Sequence, residues 1–255
     1  AGNTAVCTVG RSGNDLHYRG YDIKDLAEHA TFEEVAYLLV YGELPTASAL
    51  RAYVAKLKRL RGLPQPVKAA LELLPASTHP MDVMRTGCSV LGTVLPERDS
   101  HPVAEARDIA DRLMASFGSM LLYWYHYSHN GRRVEVETGD ETIAAHFLHV
   151  LHGRPPSALH SRALDQSLIL YAEHEFNAST FAARVIAGTN SDFYSAITGA
   201  IGALRGPKHG GANEVAMEII ARYRSAEEAE ADIRARMERK EIIIGFGHPV
   251  YTIGD

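Results

Sequence analysis

Apolar residues recur at helical spacing through most of this chain, and Gly, Pro and capping residues interrupt them. Thr31-Phe32-Glu33-Glu34 opens one helix. Thr31 can accept from the amide three residues on while Glu34 reaches back, giving a capping box. Val35, Leu38, Leu39 and Tyr41 continue it, and Gly42 is placed to end it. A second is expected from Ala47 to Arg61, with Leu50, Val54, Leu57 and Leu60 at helical spacing and Gly62 after it. Pro66 and Pro75 bracket a short one at Val67–Leu74, and Pro80 begins another through Val83, Met84 and Leu91. The longest pattern covers Val103–Tyr127. Its stripe is Ile109, Leu113, Phe117, Met120, Leu121 and Trp124, with Arg107, Asp111 and Arg112 expected to face away. That helix could serve as core or as a subunit interface. Further helices are expected at Thr142–Leu151, Ala163–Phe176, Thr180–Ala187 and Asn213–Arg224.

Strand signals are few. Ala5–Val9 and Leu16–Tyr18 flank Arg11-Ser12-Gly13-Asn14 and read as a small hairpin, and Glu241–Ile244 is a short β-branched run that could be extended. The fold class is therefore all-α. Ala226–Lys240 is dense in charge with little apolar stripe and reads as a solvated helix. A composition shift near Gly206 suggests a large helical domain over 1–205 and the beginning of a smaller one over 206–255.

The charge balance, 26 basic against 31 acidic residues, contains no like-charged block that would suggest nucleic-acid binding or a polybasic membrane patch. No apolar run approaches the length of a membrane span. Cys7 and Cys88 are the only cysteines, which leaves no disulfide framework and fits a reducing, cytoplasmic setting. The chain opens at Ala1 without a methionine, so the absence of a targeting segment carries little weight.

Three histidines sit in settings that packing explains poorly. In Gly206-Pro207-Lys208-His209-Gly210-Gly211-Ala212-Asn213, proline excludes a helix interior and the glycines let a ligand or another backbone approach His209. A helix starting near Asn213 puts His209 at a helix N-terminus, where the dipole disfavours imidazolium and a neutral ring can donate to a carbonyl gaining enolate character. A glycine-rich interdomain turn with an incidental histidine has the same spacing. In Gly245-Phe246-Gly247-His248-Pro249-Val250-Tyr251 the backbone is tightly specified, as in loops that bring amides to phosphates and also in ordinary turns. In Tyr171–Thr180, His174 lies near the end of an apolar helix among Glu173, Glu175 and Asn177, and Ser179 can cap the next helix. A helix–helix hydrogen-bond knot would use the same residues. His126 with His129, and His146, His149 and His152, repeat at three, but no carboxylate is spaced to complete a zinc site, so no metal is expected.

Together HEFNAST at His174, GPKHGGAN at His209 and GFGHPVY at His248 resemble, in that order, the citrate synthase family. YRGYDI at Tyr18–Ile23, FEEVAYLLVYGELPT at Phe32–Thr46 and HPMDVMRTG at His79–Gly87 extend the resemblance over nearly the whole chain. LYWYHYSHNG at Leu122–Gly131 is similar to the 2-methylcitrate synthase branch, which uses propionyl-CoA. The resemblance implies condensation of an acyl-CoA with oxaloacetate followed by thioester hydrolysis. His209 would donate to the thioester oxygen, His248 would polarise the ketone, and His174 with Asn177 would hold oxaloacetate. Ile242, Ile243, Ile244, Gly245, Phe246 and Gly247 match the segment that contacts CoA. No cofactor is implied, since acyl-CoA is a substrate, and a homodimer is expected. A citrate synthase using acetyl-CoA and a non-catalytic helical scaffold are the alternatives.

Tyr171 stands where many family members have a histidine. The carboxylate base and the arginines that bind oxaloacetate follow the GFGHPVY motif in the family and have no match before Asp255. Residues 1–255 in isolation are therefore expected to be inert. CoA release from propionyl-CoA plus oxaloacetate, measured against the full-length protein, checks this, and comparable turnover by the isolated segment would refute it.

Overall fold

A computed structural model describes residues 3–11, 13–98, 100 and 102–246. The N-terminal hairpin forms as expected: β1 (Cys7–Val9) pairs antiparallel with β2 (Leu16–Tyr18), and β2 pairs with a short β3 (Tyr21–Asp22). Twelve helices follow among the described residues: α1 (Ile23–His29), α2 (Phe32–Tyr41), α3 (Ala47–Arg59), α4 (Gln65–Glu72), α5 (Pro80–Val94), α6 (Val103–Asn130), α7 (Ile143–His152), α8 (Ala158–Leu170), α9 (Ala178–Ala187), α10 (Phe193–Leu204), α11 (Ala212–Ile220) and α12 (Ala226–Glu238). The fold is all-α with one small sheet. No helix among the described residues is long and apolar enough to cross a membrane.

Local chemistry sets several boundaries. At α2 the Glu34 amide donates to Thr31 Oγ1 at 3.4 Å and the Thr31 amide donates to Glu34 Oε2 at 2.7 Å. Gly42 then closes the helix in the left-handed region, at φ 103°. α6 is the hub. Ile109, Leu113, Met120, Tyr123 and Trp124 pack against Val67 and Leu71 of α4, Val83, Cys88 and Leu91 of α5, Val150 of α7, and Tyr194 and Ile201 of α10. Its apolar stripe is thus core. A side chain at Gly92 would stand 2.7 Å from Tyr194 Cβ, so glycine lets α5 and α10 approach. The sheet builds a second cluster, in which Cys7 and Tyr18 meet Ile23, Leu26, Val35, Leu38 and Ile169.

Several expectations need correcting. Helix α10 was not anticipated. The helix expected over Ala163–Phe176 starts earlier and stops at Leu170, and the one expected to reach Arg224 stops at Ile220. Glu241–Ile244 is not a strand: Glu241 is held by Arg236 and Arg239, and the chain then turns. Asp111 is fully buried instead of facing solvent. It accepts from Tyr41 and Tyr53 hydroxyls at 2.7 and 2.8 Å and from Lys56 Nζ at 2.6 Å, partners that compensate a buried carboxylate. α12 buries no residue, in keeping with a solvated helix.

Three of the clustered histidines are buried or held by protein partners. His126 Nε2 meets the Val150 carbonyl, His146 lies between Ser119 and Thr138, and His149 Nδ1 is 2.7 Å from Asp140. Burial, assisted by the Arg61 charge, brings His146 down to about 4. No group of three potential metal ligands occurs among the described residues.

Burial raises the Glu33 carboxyl from 4.5 to about 7; Asp165 adds to this, while the Ile143 amide and Arg61 oppose it. The folded protein therefore keeps a proton that the unfolded chain releases. The stabilisation is fully present below the unfolded value and is lost as pH rises through the folded one, on the order of 3 kcal/mol. Glu33→Gln is expected to flatten that loss between about pH 5 and about pH 7.5 in urea unfolding. Equal pH slopes for wild type and variant would contradict the assignment.

Candidate active site

The segment carrying His174 leaves α8 at its C-cap, Tyr171, and reaches α9 at Ala178. His174 therefore lies four residues past the helix end instead of within it. Both of its neighbours are tied to the sheet. The Glu173 amide donates to the Tyr18 hydroxyl at 3.2 Å, and that hydroxyl donates to the Ile169 carbonyl at 3.0 Å. Glu175 adopts φ 54° and its Oε1 accepts from the Val9 amide at 3.2 Å. Burial raises the Glu173 carboxyl, although amides of Glu175 and His174 donate to it and Arg19 lies near.

Asn177 caps α9. Its Oδ1 accepts from the Thr180 amide at 3.0 Å and from the Ser179 hydroxyl at 2.7 Å. Ser179 had been expected as the cap. It points instead to His209: its amide donates to Nε2 at 3.3 Å and its Oγ lies 2.9 Å from the same nitrogen. A ring nitrogen that accepts an amide proton carries the lone pair, so in the neutral ring the proton sits on Nδ1. The single Ser179 hydroxyl hydrogen serves two acceptors, Asn177 Oδ1 and His209 Nε2. One polar chain thus joins the HEFNAST and GPKHGGAN segments.

His209 follows α10 in a tight turn. Its amide donates to the Gly206 carbonyl at 2.9 Å, and α11 begins three residues later. Glycine at 210 is required by the chain itself. A Cβ there would stand 2.6 Å from the Leu204 carbonyl oxygen. The first turn of α11 is tethered twice. Asn213 Nδ2 donates to the Tyr171 hydroxyl at 2.5 Å, and Glu214 Oε1 lies 2.9 Å from His79 Nε2. His79 caps α5 by accepting the Met81 amide on Nδ1, which leaves Nε2–H to donate to Glu214.

The Ile242–Phe246 part of the expected CoA segment turns against α11. Ile242 and Phe246 are exposed and Ile243 is buried. The Phe246 amide donates to the Ile243 carbonyl at 3.2 Å, and Gly245, at φ 103°, faces Ala216. Gly247 and His248 lie outside the described residues. Sequence reading missed Tyr18, His79 and the Ser179–His209 pair. His79 directly before Pro80 was the one readable cap signal among them.

The family model for the citrate synthase C-terminal domain matches residues 1–255. The chain belongs to the citrate synthase family. A 2-methylcitrate synthase of Shewanella oneidensis is 60% identical over the whole chain and 67% of its own length. One of Mycobacterium tuberculosis is 42% identical over 99% of the chain and 63% of its own length. Among solved structures, citrate synthase from Thermoplasma acidophilum, in a ternary complex with carboxymethyl coenzyme A and oxaloacetate, superposes with a TM-score of 0.87 at 30% identity, covering 98% of this chain and 66% of that one. Citrate synthase from Thermotoga maritima gives 0.83 at 36% identity, covering 98% and 65%. The chain thus spans about two thirds of the length of these family members.

Tyr18→Phe removes the hydroxyl that serves both the Ile169 carbonyl and the Glu173 amide. A loss of about 1–3 kcal/mol is expected in chemical unfolding, because the Glu173 amide loses its partner, while the Ile169 carbonyl keeps the Ala172 amide at 3.2 Å. An unchanged midpoint would show that the link carries no stability.

Proposed function

We propose that the protein is a 2-methylcitrate synthase. In this reading it condenses propionyl-CoA with oxaloacetate and hydrolyses the thioester to release 2-methylcitrate and CoA. The 60% identity to the Shewanella oneidensis enzyme carries the choice of branch. The His209 geometry supports the chemistry. An acyl-CoA α-proton is only weakly acidic, so its removal requires a base and a donor to the thioester oxygen as charge develops there. With Nε2 engaged by Ser179, His209 can offer Nδ1–H as that donor.

His248 is proposed to polarise the oxaloacetate ketone and pass it a proton, while His174 and Asn177 hold the substrate. Asn177 Oδ1 is already used as a cap, which leaves its amide NH₂ for a carboxylate. Ile242 to Gly247 are proposed to contact CoA, with exposed Ile242 and Phe246 offering apolar surface. The carboxylate base and the carboxylate-binding arginines are proposed to follow the GFGHPVY segment. No cofactor or metal takes part. The proposed setting is the cytoplasm, in propionate catabolism.

A small domain starting near Gly206 fits the sparse burial beyond it, since α11 buries only Ile219 and α12 nothing. Closure about that turn would exclude water before condensation. A homodimer fits α9, which buries no residue and exposes Phe181 and Val185.

Parallel kinetics on the full-length protein test the reading. Propionyl-CoA is expected to have the higher kcat/KM, and His209→Ala to lower kcat by about 100-fold or more with an unchanged fold. A preference of about tenfold for acetyl-CoA, the low end of what one methylene supplies, would reassign the branch. Full activity in His209→Ala would reject the mechanism.

A further inference from the structure

A groove of about 670 Å³ lies between α2, α3 and the start of α7. That size falls within the range of small-molecule sites. Leu50 and Val54, one helical turn apart on α3, form its apolar wall. None of its lining residues comes from the His174, His209 or Gly245 segments.

Glu33 lines the groove and is only 1% exposed. Its Oε1 accepts the Ile143 amide at 2.7 Å, while its Oε2 is buried with no hydrogen-bond partner. A buried oxygen left in this way is costly, and a ligand oxygen would relieve it: a hydroxyl by donating to the carboxylate, a keto oxygen by accepting from the carboxyl. The groove is also rich in cations. Lys58 is engaged by Glu141 at 2.6 Å, whereas Arg51 and Arg59 have no carboxylate partner among the described residues. Unpaired guanidinium groups beside an aliphatic wall match an anion with an apolar body.

We propose that this groove is a second ligand site, which takes an aliphatic carboxylate carrying a hydroxyl or keto oxygen. The carboxylate faces Arg51 and Arg59, the carbon chain lies along Leu50 and Val54, and the second oxygen meets Glu33 Oε2.

Calorimetric titration of the full-length protein with 5-oxohexanoate, hexanoate and hexan-2-one tests each element, with and without CoA plus oxaloacetate. Saturable binding of one 5-oxohexanoate per chain is expected, unchanged by CoA and oxaloacetate. Hexanoate and hexan-2-one should each bind about tenfold more weakly, the upper end for one net hydrogen bond. Glu33→Ala should bring 5-oxohexanoate to the level of hexanoate, and Val54→Trp should abolish binding. Arg51→Glu, at an exposed position that leaves the core intact, should weaken binding about tenfold. The proposal is overturned if binding fails to saturate in the millimolar range. It is equally overturned if the keto preference survives in Glu33→Ala, or if Arg51→Glu binds as wild type does.

Discussion

The buried hydroxyl of Tyr18 has to find partners, and the ones it takes organise the candidate site. It donates to the last turn of α8 and accepts from the segment that follows. With α8 thus pinned to β2, and Glu175 pinned to β1, the connection to α9 has little freedom left. Asn177 then starts α9, Ser179 is carried to His209, and two chain segments 30 residues apart become one hydrogen-bonded unit. A sheet of three short strands would add little to a helical core by itself. Its value here is as an anchor for an irregular segment.

The interior follows a similar logic. Asp111 joins α6 to α2 and α3 through two tyrosine hydroxyls and a lysine. Arg61 is fully buried and donates to the carbonyls of Thr138, Asp140 and Thr142, which holds the non-helical stretch before α7. Irregular backbone next to a core needs such donors, since no ladder or helix satisfies it. Polar groups in this core therefore tie helices together at Asp111 and fix a loop at Arg61, while the apolar stripe of α6 gathers the helices.

Much of this was legible in local sequence. The capping box at Thr31, the stop at Gly42, the N-terminal hairpin and the long stripe of α6 all rest on residues a few positions apart. α10 was not legible. Ile197, Thr198, Gly199 and Gly202 interrupt helix propensity, and packing with α5 and α9 is what stabilises it. Asp111 misled because a charge on an amphipathic helix usually faces water, and its partners come from two other helices. Between Asn177 and Ser179 either residue could cap α9. The choice depends on His209, which no local rule can see. The three histidine motifs were visible as motifs, but their geometry was not. Tyr18 and Glu173 are 155 positions apart, and His79 and Glu214 are 135 apart.

The two tethers on the first turn of α11 differ in kind from the buried Tyr18 link. Asn213 and Glu214 are exposed, and exposed polar pairs contribute at most about a kilocalorie per mole each, close to thermal energy. The joint between α10 and α11 is therefore compliant in energetic terms. The backbone turn around Gly210 is sterically constrained, yet the direction in which α11 leaves it costs little to change. An occupant bridging the two sides needs only a small fraction of its own binding energy to set that direction.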